Sequence, residues 1–186
     1  VTQVSSAVDP LTLGVGIAFA TVTDRVPGTV NSGAVTLGFT SNDILVAGGK
    51  ITLALPSGYF SAVDTTKANT ATNAGTTISS FTATCVRTPA TGTTVLGIAN
   101  ADTVVCTTAG ADMPAGANVL TFIPGAITAG TTGTTQVAAT FNVETSKNLL
   151  LATAPATVAL LNARLTLGVG IAFATVTDRV PGTVNS

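Results

Sequence analysis

The chain has 186 residues, enough for one well-buried domain and short for two. Only 8% of the residues are charged, the formal net charge is −1, histidine and tryptophan are absent, and mean hydropathy is +0.58. Three lysines and four arginines, widely scattered, form no basic patch for a phosphate backbone, which argues against a nucleic-acid partner.

So little charge leaves little repulsion to hold free monomers apart, so the composition points to a surface covered by neighbouring subunits or by glycan. No Asn-x-Ser/Thr sequon occurs, which leaves O-linked glycan on the threonine tracts as a compositional candidate. Self-association is the simpler reading. The most apolar run, 149–161, is too short for a membrane span and is broken by Pro155.

In chain order, 1–10 reads as a lead-in segment closed by Pro10. No charged-then-apolar leader precedes Val1, which reads as a mature chain or a piece cut from a longer one. Residues 11–164 read as a β-sandwich module. Within it, 11–20 alternates large and small residues, and Val35, Leu37 and Phe39 alternate with Thr and Gly. Residues 42–60 read as two short strands around Gly48-Gly49, the second ending at Pro56.

The polar stretch 61–77 reads as a surface loop or edge strand. Strands are expected at 78–86, 93–99 and 102–108, with a turn at 109–117, and further strands around Leu120 and Phe122 and over 135–146. A short helix is conceivable only within 148–163. The expected fold is therefore all-β: an antiparallel sandwich of about eight to ten strands, Ig-like or jelly-roll.

Cys85 and Cys106 are the only cysteines. Phe81, Ala83 and Cys85 fall on one face of the first strand, and Val104 and Cys106 on one face of the second. Two inward cysteines on neighbouring strands suit a disulfide and hence an extracellular, oxidising location. The alternative is a pair of buried free thiols.

The most informative feature is a repeat. Residues 11–32, LTLGVGIAFATVTDRVPGTVNS, recur without change at 165–186. Leu11, Leu13, Val15, Ile17 and Phe19, and then Leu165, Leu167, Val169, Ile171 and Phe173, fall at every second position. In a strand these five share one face, while the other face carries only Thr, Gly and Ala. One copy suffices for one sandwich, so the other is available to a neighbour by β-strand addition.

With its alternating "LTLGVGIAF" strand beside a disulfide-bearing sandwich, the chain resembles the donor-strand-linked subunits of extracellular pili and filaments. That resemblance implies a structural homopolymer joined head to tail, with no catalytic residues and no cofactor. The chain departs from chaperone–usher pilins in its mid-chain cysteines and in carrying the segment near both ends.

Three other origins fit the repeat: the start of the next module in a tandem array of 154-residue period, a copy added to complete the fold within one chain, and a strand swap closing a dimer. A second functional class is a ligand-binding module of a tandem-repeat surface adhesin, presenting loops such as 61–77.

Chemistry is sparse. Without histidine the usual base of a Ser or Cys triad is missing. The acidic residues Asp9, Asp24, Asp43, Asp64, Asp102, Asp112, Glu144 and Asp178 are dispersed, with no calcium-loop spacing. Turn and edge roles are expected for them. Asp24 and Arg25 precede Pro27-Gly28 and read as a solvated turn with a local ion pair, or as charges that orient a neighbouring subunit. Tyr59 and Phe60 read as a plug at one end of the sandwich, or as a small aromatic contact for sugar.

Overall fold

A computed structural model describes residues 12–21, 23–130, 140–147 and 156–157. The lead-in 1–10 and the whole second copy, 165–186, lie outside the described residues. The strands are β1 (Thr12–Phe19), β2 (Val35–Ser41), β3 (Lys50–Pro56), β4 (Phe60–Val63), β5 (Thr70–Asn73) and β6 (Thr76–Thr77). They continue as β7 (Thr82–Thr88), β8 (Ala101–Ala109), β9 (Gly116–Phe122), β10 (Ile127–Ala129), β11 (Thr140–Thr145) and β12 (Ala156–Thr157). Nine of the twelve have four residues or more.

The strands form two five-stranded antiparallel sheets, β1-β2-β9-β5-β6 and β12-β11-β3-β8-β7, and a two-stranded ribbon, β10-β4. The chain is thus all-β and packs as a β-sandwich. The reason is visible in the pattern: β2 buries Val35, Leu37, Phe39 and Ser41 and leaves the residues between them half-exposed. In β3, Ile51, Leu53 and Leu55 face the same core, and β9 adds Leu120 and Phe122. Period-2 burial from two sheets closes one hydrophobic interior.

Cys85 and Cys106 stand directly opposite each other on β7 and β8 and form a disulfide with S–S 2.04 Å. Both are fully buried. The bond closes a loop of 21 residues, which stabilises the fold by about 3 kcal/mol in the chain-entropy account. Tyr59 and Phe60 are also fully buried, edge to face at 4.9 Å, and belong to the core.

Two local expectations are corrected. Residues 93–99 are not a strand: Val95 and Ile98 pair with each other across a tight turn, N–H to C=O at 3.0 and 2.9 Å. Leu96 (φ 48°) and Gly97 (φ 81°) form its centre, the two positive φ values that a type I′ turn demands. Of the two strands expected around Gly48-Gly49, only β3 forms. Leu45 makes an isolated bridge to Met113, which draws the 109–117 turn into the core. The segment 61–77 divides among β4, a turn, β5 and β6, and β6 is the edge of its sheet. Within 148–163 only the two-residue strand β12 is described; the rest of that range lies outside the described residues.

Candidate assembly site: the slot that holds residues 11–32

The first copy of the repeat sits at the edge of the sandwich. β1 ends the sheet order and pairs antiparallel with β2, with Gly16 opposite Gly38, Ile17 opposite Leu37, Ala18 opposite Thr36 and Phe19 opposite Val35. Between Thr12 and Gly16 the register shifts, so the regular ladder covers only the last four pairs. Ile17 is buried, Ala18 is exposed, and Phe19 packs against the core. Over these residues the strand places its large side chains inward and its small one outward. The side chains of Leu11, Leu13 and Val15 lie outside the described residues, as do all those of Leu165, Leu167, Val169, Ile171 and Phe173.

In the rest of the copy Asp24 and Asn31 are buried, while Thr23, Gly28, Val30 and Ser32 are exposed. The chain leaves β1 through Ala20, whose N–H donates to Ala34 O at 2.9 Å, and enters a short 3-10 turn, Thr23–Arg25. This turn delivers Asp24 into the interior, where it is 1% exposed. Its Oδ1 accepts from the Ser32 N–H and the Ser32 hydroxyl, both at 2.8 Å, and its Oδ2 accepts from the Gly33 N–H at 2.8 Å. Burial by itself pushes the carboxyl up. The bonds from Ser32 and Gly33, with the Thr21 hydroxyl, outweigh it and bring the pKa down to about 2. Asp24 is therefore a closed, charged clasp that ties both ends of 24–33 together. Its role as half of an exposed ion pair is corrected by that burial.

Asn31 is the second buried polar residue of the copy, 3% exposed. Its Nδ2 donates to Gly33 O at 2.6 Å and to Ile123 O at 3.0 Å, and its Oδ1 accepts from the Ile127 N–H at 2.8 Å. Its main chain adds two bonds, Asn31 N–H to Ile127 O and Gly125 N–H to Asn31 O, both at 2.8 Å. Further back, Gly28 N–H donates to Ala129 O and Gly130 O, and Ala129 N–H donates to Thr29 O. Residues 28–31 thus lie along 123–130, whose β10 portion is paired on its other side with β4.

The slot accordingly has two walls. β2 receives the strand half of the copy, and 123–130 receives the turn half. Gly33 closes the corner at close quarters, since a Cβ there would meet Ala20 Cβ at 3.0 Å, Thr21 Cγ2 at 3.2 Å and Asp24 Oδ2 at 3.3 Å. Burial pushes the phenol of Tyr59 up, and the Arg25 guanidinium acts in the opposite direction, which places that charge within electrostatic reach of the sandwich interior.

Asp24 and Asn31 as buried anchors escape a reading by apolar periodicity. The signal that could have found them is the length of the repeat, because identity through Ser32 runs well past the alternating strand.

The remaining acidic side chains that form described hydrogen bonds serve the scaffold. Asp64 Oδ1 accepts from the Thr66 N–H and hydroxyl, and Asp112 Oδ1 accepts from the Ala47 N–H. Asp102, 1% exposed, pairs with Arg87 at 2.6 Å. It also accepts from the Gly58 and Ala90 N–H groups, while Arg87 reaches Ser61 O. This network joins β7, β8, β4 and two loops at one end of the sandwich. Compared with known proteins, the chain matches no family model, no curated protein and no solved structure.

Proposed function

We propose that this chain is the structural subunit of an extracellular filament, joined head to tail by donation of residues 165–186 into the slot that 11–32 fill in the next subunit. One observation supports this above the rest. A defined edge slot holds the first copy, and the chain carries a second copy identical at every position.

Because the copies are identical, either can make the same contacts with β2 and 123–130, whereas the bonds to Gly33 and Ala34 involve residues outside the repeat. The balance between self-filled and cross-filled slots is then set by connectivity and concentration, as in domain swapping. The first copy is joined directly to β2 and has the local advantage. Cross-filling gains from subunit crowding and from a surface with too little charge to oppose close packing.

A head-to-tail joint is heterologous and propagates instead of closing. The buried disulfide is compatible with an oxidising, extracellular compartment. Among the described residues no helix is long and apolar enough to cross a membrane.

Ile171→Asp tests the reading. It puts a charge at the second-copy position that matches buried Ile17 and leaves the first copy intact. Light scattering should show large particles for the native chain and their loss in the variant. Equal particle size in both would refute strand donation.

A further inference from the structure

We infer that the donated element is the whole 22-residue segment, and that Asn185, taking the place of Asn31 between Ile123 and Ile127 of the acceptor, sets its register. This rests on the filament reading above and specifies the joint.

The strand half cannot fix its own position. Large residues at every second place mean that a slip of two residues along β2 still turns apolar side chains inward. Only four regular pairs of the β1–β2 ladder oppose such a slip.

The turn half is different. Seven hydrogen bonds join 28–31 to 123–130, and five of them involve main-chain groups of Gly28, Thr29 and Asn31 as the segment's partners. The other two come from the Asn31 carboxamide, one as donor to Ile123 O and one as acceptor from Ile127 N–H. Only a side chain with a donor and an acceptor on one planar group meets both, and only in one register. A two-residue slip moves it about 7 Å along the strand direction, out of reach of both.

All seven partners on 123–130 belong to the body of the sandwich and would be supplied by the acceptor subunit. The Ser32 part of the clasp travels with the donor, because Asp178 and Ser186 repeat Asp24 and Ser32, while the Gly33 N–H lies outside the repeated segment. The donor thus carries part of the folding instruction for the turn, and the acceptor offers the matching rail.

The experiment compares four full-length chains by light scattering over a concentration series: native, Ile171→Asp, Asn185→Ala, and a chain whose residues 174–186 are replaced by an equal length of Gly and Ser. A thermal melt of each dilute chain checks that the sandwich, with 11–32 intact, still folds. The inference expects Asn185→Ala to raise the concentration for half-assembly at least tenfold, the Gly/Ser chain to raise it further, and all melts to coincide. If Ile171→Asp abolishes assembly but Asn185→Ala and the Gly/Ser chain assemble like the native chain, the strand alone is donated and the inference is wrong while the filament reading stands. If the native chain forms no large particles, both are overturned.

Discussion

Removing the carboxamide from both copies, as Asn31→Ala with Asn185→Ala, gives the slot its most direct energetic test. The side chain of Asn31 makes three hydrogen bonds at 2.6 to 3.0 Å from a site 3% exposed. Truncation leaves the Ile127 N–H and the Gly33 and Ile123 carbonyls without that partner. A net bond contributes about 1 kcal/mol, and a buried group left unpaired costs about 1–3 kcal/mol. Together these give a loss of about 3–5 kcal/mol, a large part of the roughly 5–15 kcal/mol that holds a domain folded.

Urea unfolding of the dilute protein reads this as a lower midpoint at unchanged m, and thermal unfolding as a fall of roughly 10 °C. Asn185→Ala alone should leave the dilute chain within about 0.5 kcal/mol of native, because the first copy fills the slot. Asn31→Ala alone should fall between, since the intact second copy can replace the first. A double variant that loses less than about 1 kcal/mol would refute the anchoring role.

Lowering the pH should remove the contribution of Asp24: its folded pKa of about 2 lies below the ordinary 3.8, so that contribution is complete above pH about 4 and is lost as pH falls through about 2. Asp24→Asn should flatten acid unfolding in that window, whereas the carboxyl of Glu144, pushed up by desolvation, changes stability in the opposite sense. Asp102→Ala leaves Arg87 and the Gly58 and Ala90 amides without their carboxylate and should cost about 3–5 kcal/mol, read by urea unfolding. Replacing Cys85 and Cys106 by Ala should cost at least about 3 kcal/mol, and the native chain should yield free thiol only after unfolding and reduction.

Legibility in the sequence followed the physics of each element. Where apolar residues alternate, as at Val35, Leu37 and Phe39 or Ile51, Leu53 and Leu55, strand and buried face could both be read directly, because period 2 has no other cause in a short segment. The cysteine pairing was readable for the same reason. The turn at Leu96-Gly97 was not: its apolar composition imitates a strand, and its positive φ values are a tertiary outcome at a leucine. Buried polar residues were the larger omission. Asp24, Asn31 and Asp102 are satisfied in the interior because amides converge on them, from Ser32 and Gly33 across the turn, from Ile127, and from Gly58 and Ala90. Sequence spacing carries no trace of such convergence, except where a segment is repeated whole.

The central claim is that identical segments link separate chains without a covalent joint. It is tested by comparing the size of the native material with its mass after denaturation and reduction. The account predicts large native particles that collapse to a single chain of 18.2 kDa. A small particle before and after denaturation, or a denatured mass many times larger, would contradict it.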